Sequence, residues 1–269
     1  MVYAHVMTTV NPIAVVTGAS SGIGAATALA LADNGWRVVL VARRADRIEN
    51  LAHGIAGAGG KAIAEALDAA DGAAVDAMAG RVRAAWGSPS LIVNSAGAGI
   101  WRFLEETTAR EIDSMIGAPY LAAAHTTRAF IGDMIAAGRG LVIHIGSPAS
   151  VIPWPGATAY TATRWALRGL HEALHQDLRG TGVSTSLAYF GEVSSDYFKV
   201  NPGSQEHIPS LGSWIPVSTP ESCAEVILRI VRRPRPVVYH PFALRLMAWT
   251  ATLAPAPTRW LIAQTGRKH

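Results

Sequence analysis

The run Thr17-Gly18-Ala19-Ser20-Ser21-Gly22-Ile23-Gly24 sets three glycines at the junction between an apolar stretch and an alanine-rich helical pattern. Glycine is needed where a turn takes unusual dihedrals and where backbone must approach an anion with no Cβ in the way. A helix that begins at such a turn aims unpaired N–H groups and the positive end of its dipole at the same anion. The spacing is G-x-x-x-G-x-G, not the commoner G-x-G-x-x-G, and a glycine triplet alone also describes a plain tight turn. Here strand, turn and helix coincide in the first βαβ unit. The expectation is therefore a cradle for a dinucleotide diphosphate, formed by Gly18, Ser20, Ser21, Gly22, Ile23 and Gly24.

The end of the second apolar run reads Val41-Ala42-Arg43-Arg44. A site that prefers NAD places a carboxylate there for the ribose 2′-hydroxyl. A carboxylate repels the 2′-phosphate of NADP, whereas a guanidinium binds it through two parallel hydrogen bonds. The residues favour NADP(H) over NAD(H), with Arg43 the first candidate and Arg44 the reserve. The competing reading makes both arginines the solvated start of the next helix.

Elements that would position these groups alternate along the chain. Strand patterns cover Ile13–Thr17, Arg37–Ala42, Lys61–Ala66, Ser90–Asn94, Leu141–Ile145, Val183–Ala188 and Val237–His240. Helical patterns fall at Ile23–Asn34, Arg44–Ala58, Ala73–Trp86, Ala109–Ala137, Tyr160–Arg179 and Pro220–Arg232. Nearly continuous apolar strands alternating with helices mean a parallel sheet covered on both faces. The fold class is α/β, a Rossmann-type doubly wound parallel sheet of about seven strands in three α/β/α layers. No repeat or linker interrupts it, so residues 1–269 read as one domain. Two segments break the pattern. Residues 194–216 mix Pro, Gly, Ser and aromatics with no period, which marks a lid over a substrate. Residues 241–269 are apolar but broken by Pro255 and Pro257, which makes them a C-terminal appendage of two short helices.

Composition narrows the alternatives. Half of the 269 residues are hydrophobic and 16% are charged, enough apolar material for a large core. The net charge of +4, from 23 basic and 19 acidic residues, is scattered and lacks the aromatic interleaving of a nucleic-acid surface. Cys223 is the single cysteine, which excludes an internal disulfide. A buried thiol and a cytoplasmic setting are expected. Met1 to Asn11 lacks the features of a secretory signal. His171-Glu172-Ala-Leu-His175 satisfies the H-E-x-x-H zinc pattern, but it falls on a helix the dinucleotide fold uses otherwise, so no metal is expected and the histidines read as a surface or interface stripe.

Two further runs complete the pattern: Ile-His-Ile-Gly-Ser147-Pro, and Ala-Tyr160-Thr-Ala-Thr-Arg164 thirteen residues beyond the serine. With the glycine turn and Asn94-Ser95-Ala96-Gly97 after the fourth strand, they resemble the short-chain dehydrogenase/reductase family from the first strand to the seventh. The resemblance implies an NAD(P)-dependent oxidoreductase acting on a CH–OH group. It makes Ser147 the hydrogen-bond donor to the substrate oxygen and Tyr160 the proton carrier. Arg164 stands where the family has a lysine that binds the nicotinamide ribose. A phenol ordinarily ionises near 10, so this chemistry needs a cation held close to the tyrosine. Positions i and i+4 place both on one helix face.

The chain departs from the family at Arg164 and at Pro119, which replaces an asparagine that holds a water in a proton relay. Pro119 should also kink its helix. Two readings follow. Either Tyr160 exchanges its proton by another route, or the protein is a catalytically weakened NADP-binding regulatory or interaction protein. The resemblance further implies cofactor contacts from Asp68 and Ala69, with a helix N-cap as the alternative for Asp68. Asn94, Ala96 and Gly97 would lie beside the cofactor, Asn94 in a mainly structural role. Gly191 would contact the cofactor, the Val193 backbone would meet the nicotinamide carboxamide, and Ser195 would stand for a threonine that the family places near that group.

Substrate walls are expected from Trp101, Phe103, Ile152, Trp154, Tyr189, Phe190 and Trp214, a lining for an apolar alcohol or ketone. No nucleic acid is expected as a partner. The C-terminal segment is expected to pack within the protein or in a homodimer or homotetramer, in preference to peripheral contact with a membrane.

Overall fold

In the computed structural model, the seven apolar runs become strands β1 (Ile13–Thr17), β2 (Arg37–Ala42), β3 (Lys61–Ala66), β4 (Leu91–Asn94), β5 (Gly140–Gly146), β6 (Val183–Phe190) and β7 (Val237–His240). The structure describes residues 11–266, apart from 98, 210, 211 and 213, so the reading of Met1 through Val10 lies outside it. All strands pair in parallel in the order β3-β2-β1-β4-β5-β6-β7, the expected doubly wound sheet. Successive side chains point to opposite faces. Ala14 and Val16 accordingly join one apolar core, and Ile13 and Val15 the other.

The helices are α1 (Gly22–Asp33), α2 (Ala45–Gly57), α3 (Gly72–Trp86), α4 (Ala109–Ile116), α5 (Ala122–Ala136), α6 (Thr158–Asp177), α7 (Tyr197–Val200), α8 (Pro220–Arg232), α9 (Phe242–Leu253) and α10 (Pro255–Gly266). Leu31 of α1, Ile48 of α2 and Ile227 of α8 cover one face of the sheet. Met78 of α3, Phe130 of α5 and Leu174 of α6 cover the other. Cys223 is buried in the first of these cores, where burial pushes its thiol up to about 12.

Several expectations are corrected. The helix expected over Ala109–Ala137 divides at a π turn, Gly117–Leu121, in which the Ala122 N–H reaches back to the Gly117 carbonyl. Pro119 lacks an N–H and its ring needs room, and the widened turn accommodates both. Strand β6 runs two residues beyond expectation, through Phe190. Residues 194–216 are not irregular throughout, since they carry α7 and a 3-10 turn at Ser204–His207. Nor is His171-to-His175 a surface stripe. His171 is buried against β6, with Nδ1 3.1 Å from Thr185 Oγ1, while Glu172 pairs with Arg168 at 2.6 Å. Among the described residues no group of three His, Cys, Asp or Glu could hold a metal ion, and no helix is long and apolar enough to cross a membrane.

Candidate active site

The connections leaving β1 and β4 go to opposite faces of the sheet, and a crevice opens where these strands lie side by side. A cavity of about 1050 Å³ occupies it, lined at one end by Gly18, Ser20, Ser21, Gly22 and Ile23. Gly18 has φ +68°, and a Cβ there would sit 2.7 Å from the Ser95 carbonyl oxygen. Thr17 Oγ1 accepts the N–H groups of Ser95 and Ala96, each at 3.1 Å, and so locks the two strand-end loops together. Ser21 supplies no side-chain cap to α1, so the first turn of that helix faces the cavity uncapped. Gly24 is a correction: it does not line the cavity. A Cβ there would run into the Gly18 carbonyl, so Gly24 lets the helix close on the turn.

Arg43 and Arg44 both line the cavity but differ in attachment. Arg44 donates from Nε (3.2 Å) and Nη2 (2.8 Å) to Ser20 Oγ, and from Nη2 to Ser21 Oγ (2.8 Å). Arg43 is 70% exposed, with its guanidinium 4.0 Å from Asp68. Asp68 and Ala69 also line this end. The N-cap alternative for Asp68 is not realised. Its carboxylate accepts the Ala70 N–H at 3.0 Å, while Asp71 caps α3 by accepting from Ala73 and Ala74. Asn94 is a second correction. It is buried behind the cavity, where its amide donates to Thr127 Oγ1 at 3.0 Å and lies 3.2 Å from His144 Nδ1. It ties β4 to α5 and β5. Ser95, which the sequence reading passed over, lines the cavity with Ala96 and Gly97.

Ser147, Tyr160 and Arg164 converge on the other end. Ser147 closes β5 and caps the turn Pro148–Ser150, its Oγ accepting the Ala149 N–H at 3.3 Å. Tyr160 lies in the first turn of α6, and one turn on the Arg164 guanidinium covers its ring at 4.9 Å from the centroid. Arg164 is 7% exposed. Its Nη1 donates to the Ile145 carbonyl at 3.3 Å, and its Nε has no partner among the described residues. Gly191, Val193 and Ser195 line the same cavity. Pro119 does not, although its neighbours Gly117 and Ala118 do.

Tyr197 is the residue that sequence reasoning missed. Its hydroxyl donates to the Gly99 carbonyl at 3.1 Å, and its side chain engages that of Tyr160. A Cβ at Gly99 would collide with the Tyr160 ring and stand 2.6 Å from the Tyr197 hydroxyl, so this glycine admits both phenols. Burial, and after it the Tyr160 side chain, hold the Tyr197 phenol well above its ordinary range. The one signal in the sequence was the aromatics scattered through residues 194–216.

Of the expected walls, Trp101, Ile152, Trp154 and Phe190 line the cavity. Trp101 packs against Trp154 at 5.2 Å and against Tyr160 at 5.4 Å between ring centroids. Phe103, Tyr189 and Trp214 do not line it. Alternation along β6 sends Tyr189 away from Phe190 to stack on Tyr239 at 4.8 Å. Phe103 packs on His207, and Trp214 stands 83% exposed. Met247 of α9 and Ile262 of α10 complete the apolar lining.

Known proteins resemble this chain in sequence and fold. The family model for short chain dehydrogenases matches residues 12–205. An uncharacterised oxidoreductase of Mycobacterium tuberculosis is 35% identical over 243 residues, covering 89% of this chain and 94% of that one. The chain spans 59% of a 35% identical short chain dehydrogenase of Pseudocercospora fijiensis and 18% of a 29% identical glycine betaine reductase of Emericella nidulans, over 72% and 84% of its own length. A metagenomic short-chain oxidoreductase solved with NADP is 33% identical with a TM-score of 0.71, over 86% of this chain and 96% of that one. A short chain dehydrogenase/reductase from Burkholderia phymatum solved with NAD is 26% identical with a TM-score of 0.79, over 90% and 95%. The chain belongs to the short-chain dehydrogenase/reductase family.

Proposed function

We propose that this protein interconverts an apolar secondary alcohol and its carbonyl compound, using NADP(H) in preference to NAD(H). One observation carries the reading: Ser147, Tyr160 and Arg164 meet at the apolar end of a cavity whose other end is the uncapped turn of α1. The residues present fit the dinucleotide. Gly18 keeps the cradle open, Ser20 and Ser21 edge it, and Arg43 and Arg44 stand where β2 ends without a carboxylate.

When bound, the nicotinamide gives or takes the hydride. The chain's residues do the rest. Ser147 Oγ–H donates to the substrate oxygen, and the Tyr160 hydroxyl gives it a proton during reduction or removes one during oxidation. Arg164, with Nη1 held by the Ile145 carbonyl, keeps positive charge over the Tyr160 ring and would hold the nicotinamide ribose of a bound cofactor. The Tyr197 hydroxyl, which donates to the Gly99 carbonyl and engages the Tyr160 side chain, sets a second phenol beside the proton carrier in a site where Pro119 cannot serve the relay. Trp101 and Trp154 exclude water, which strengthens each of these hydrogen bonds, and loop 194–216 acts as the lid.

The test is absorbance at the reduced-nicotinamide wavelength across a panel of apolar ketones and alcohols. Turnover that Tyr160→Phe abolishes while NADPH binding persists supports the reading. Tight NADPH binding with no turnover on any substrate would instead mark a cofactor-binding interaction protein.

A further inference from the structure

Helix α9 is apolar on two opposite sides. Leu244 and Ala248 are buried against the body of the protein. Phe242, Leu246, Trp249 and Leu253 are all exposed, Leu253 at 84%. At about 100° per residue these four positions fall in one narrow stripe, directed away from Leu244 and Ala248. On α10, Trp260 and Leu261 are also exposed, while Ile262 is buried. An outward apolar stripe such as that of α9 marks a place where something docks.

Charge selects the occupant. Helices α9 and α10 carry no acidic residue and two basic ones, Arg245 and Arg259. The Arg245 guanidinium lies 4.7 Å from the Trp249 ring centroid, at the border of the stripe, and Arg259 adjoins Trp260. A second copy meeting this face symmetrically would bring the same arginines together, with no carboxylate on either helix to answer them. An anionic lipid surface supplies the opposite charge, and tryptophan beside arginine suits the layer between headgroups and acyl chains.

We infer that the α9–α10 pair docks this protein on the surface of an anionic bilayer, with the stripe Phe242, Leu246, Trp249 and Leu253 entering the acyl boundary and Arg245 and Arg259 at headgroup level. The helices lie on the bilayer and do not span it. Their inner residues Met247 and Ile262 line the cavity, so an apolar substrate dissolved in lipid reaches the site through its roof. Only this access route rests on the catalytic reading. Docking itself stands without it and is tested without cofactor or substrate.

The experiment is flotation of the full-length chain with vesicles of phosphatidylcholine alone or mixed equally with phosphatidylglycerol. Binding is expected to the mixed vesicles only, and to weaken as salt screens the charge. Each cation near an anionic surface is worth a factor of about five, so R245Q with R259Q should weaken partitioning roughly twenty-five-fold. W249S with L253S should lower it by at least about tenfold, since each removes exposed apolar area from the stripe. These side chains are exposed, so the core is left intact, and the salt series on the unaltered chain needs no variant at all. Failure to float with mixed vesicles, or flotation indifferent to salt and to both variant pairs, overturns the inference. So does a lipid-free oligomer that W249S with L253S dissociates, which would assign the stripe to a second copy.

Discussion

The Arg164 guanidinium carbon stands 4.9 Å from the centroid of the Tyr160 ring, one turn along the same helix. The cation therefore covers the ring face while Nη1 is held by the Ile145 carbonyl. Arg164→Met removes the charge and keeps most of the bulk, and should lower kcat by about 100-fold or more, the usual scale for disabling proton transfer. Arg164→Lys restores a compact cation and should stay within about tenfold of the unaltered protein. Steady-state rates on the best substrate decide this. Equal losses in both variants would mean that the guanidinium geometry matters and the charge alone does not.

Arg43 and Arg44 should separate in cofactor titrations. Arg43 is exposed and tied to no part of the turn, so Arg43→Ala should weaken NADPH by about 10- to 100-fold, the worth of a charge-assisted hydrogen bond, and leave NADH nearly unchanged. Arg44 holds Ser20 and Ser21, so Arg44→Ala should weaken both cofactors through the loosened turn. Fluorescence titration with each reduced cofactor reads the difference. An equal loss of NADPH and NADH in Arg43→Ala would refute its phosphate role.

Tyr197→Phe removes the hydroxyl that joins Gly99 to the Tyr160 side chain, without altering the packing of the ring. Loss of one hydrogen bond to a reacting group is worth about 1.5 kcal/mol, or roughly tenfold. That loss is expected in kcat, with KM little changed. A change confined to KM would make Tyr197 a wall of the cavity and nothing more.

Two buried histidines set the acid limit of stability. Burial pushes His144 down to about 3, and burial followed by the His175 charge pushes His171 down from its ordinary 6.5 to about 4. The folded protein keeps both neutral, whereas the unfolded chain protonates them below pH 6.5. The unfolded state then binds more protons. Their contribution is fully present above pH 6.5 and is lost as pH falls toward the folded values, by about 1.4 kcal/mol per pH unit for each histidine. Urea midpoints should therefore drop between neutral pH and about pH 4, with a shallower slope in His144→Gln. A midpoint flat across that range would contradict the assignment.

Local pattern carried most of the architecture. The strand runs, the turn Gly18–Gly24 and the spacing from Ser147 to Tyr160 to Arg164 each depend on near neighbours in the chain, whose periodicity is written in residue order. Boundaries were less legible. Phe190 joins β6 because β7 lies beside it, and Pro119 falls in a π turn that joins α4 to α5.

By itself the sequence determined the doubly wound sheet, the glycine turn that opens α1 and the positions of the serine, tyrosine and cation along the chain, because backbone sterics and side-chain periodicity act over a few residues. Only the tertiary structure decided that Asn94 and Gly24 stand behind the cavity, that Tyr197 reaches Tyr160 from a loop remote in sequence, and that α9 shows a second apolar face outward. Those outcomes depend on which distant segments come together, and burial of apolar surface, which drives that assembly, has no direction along the chain.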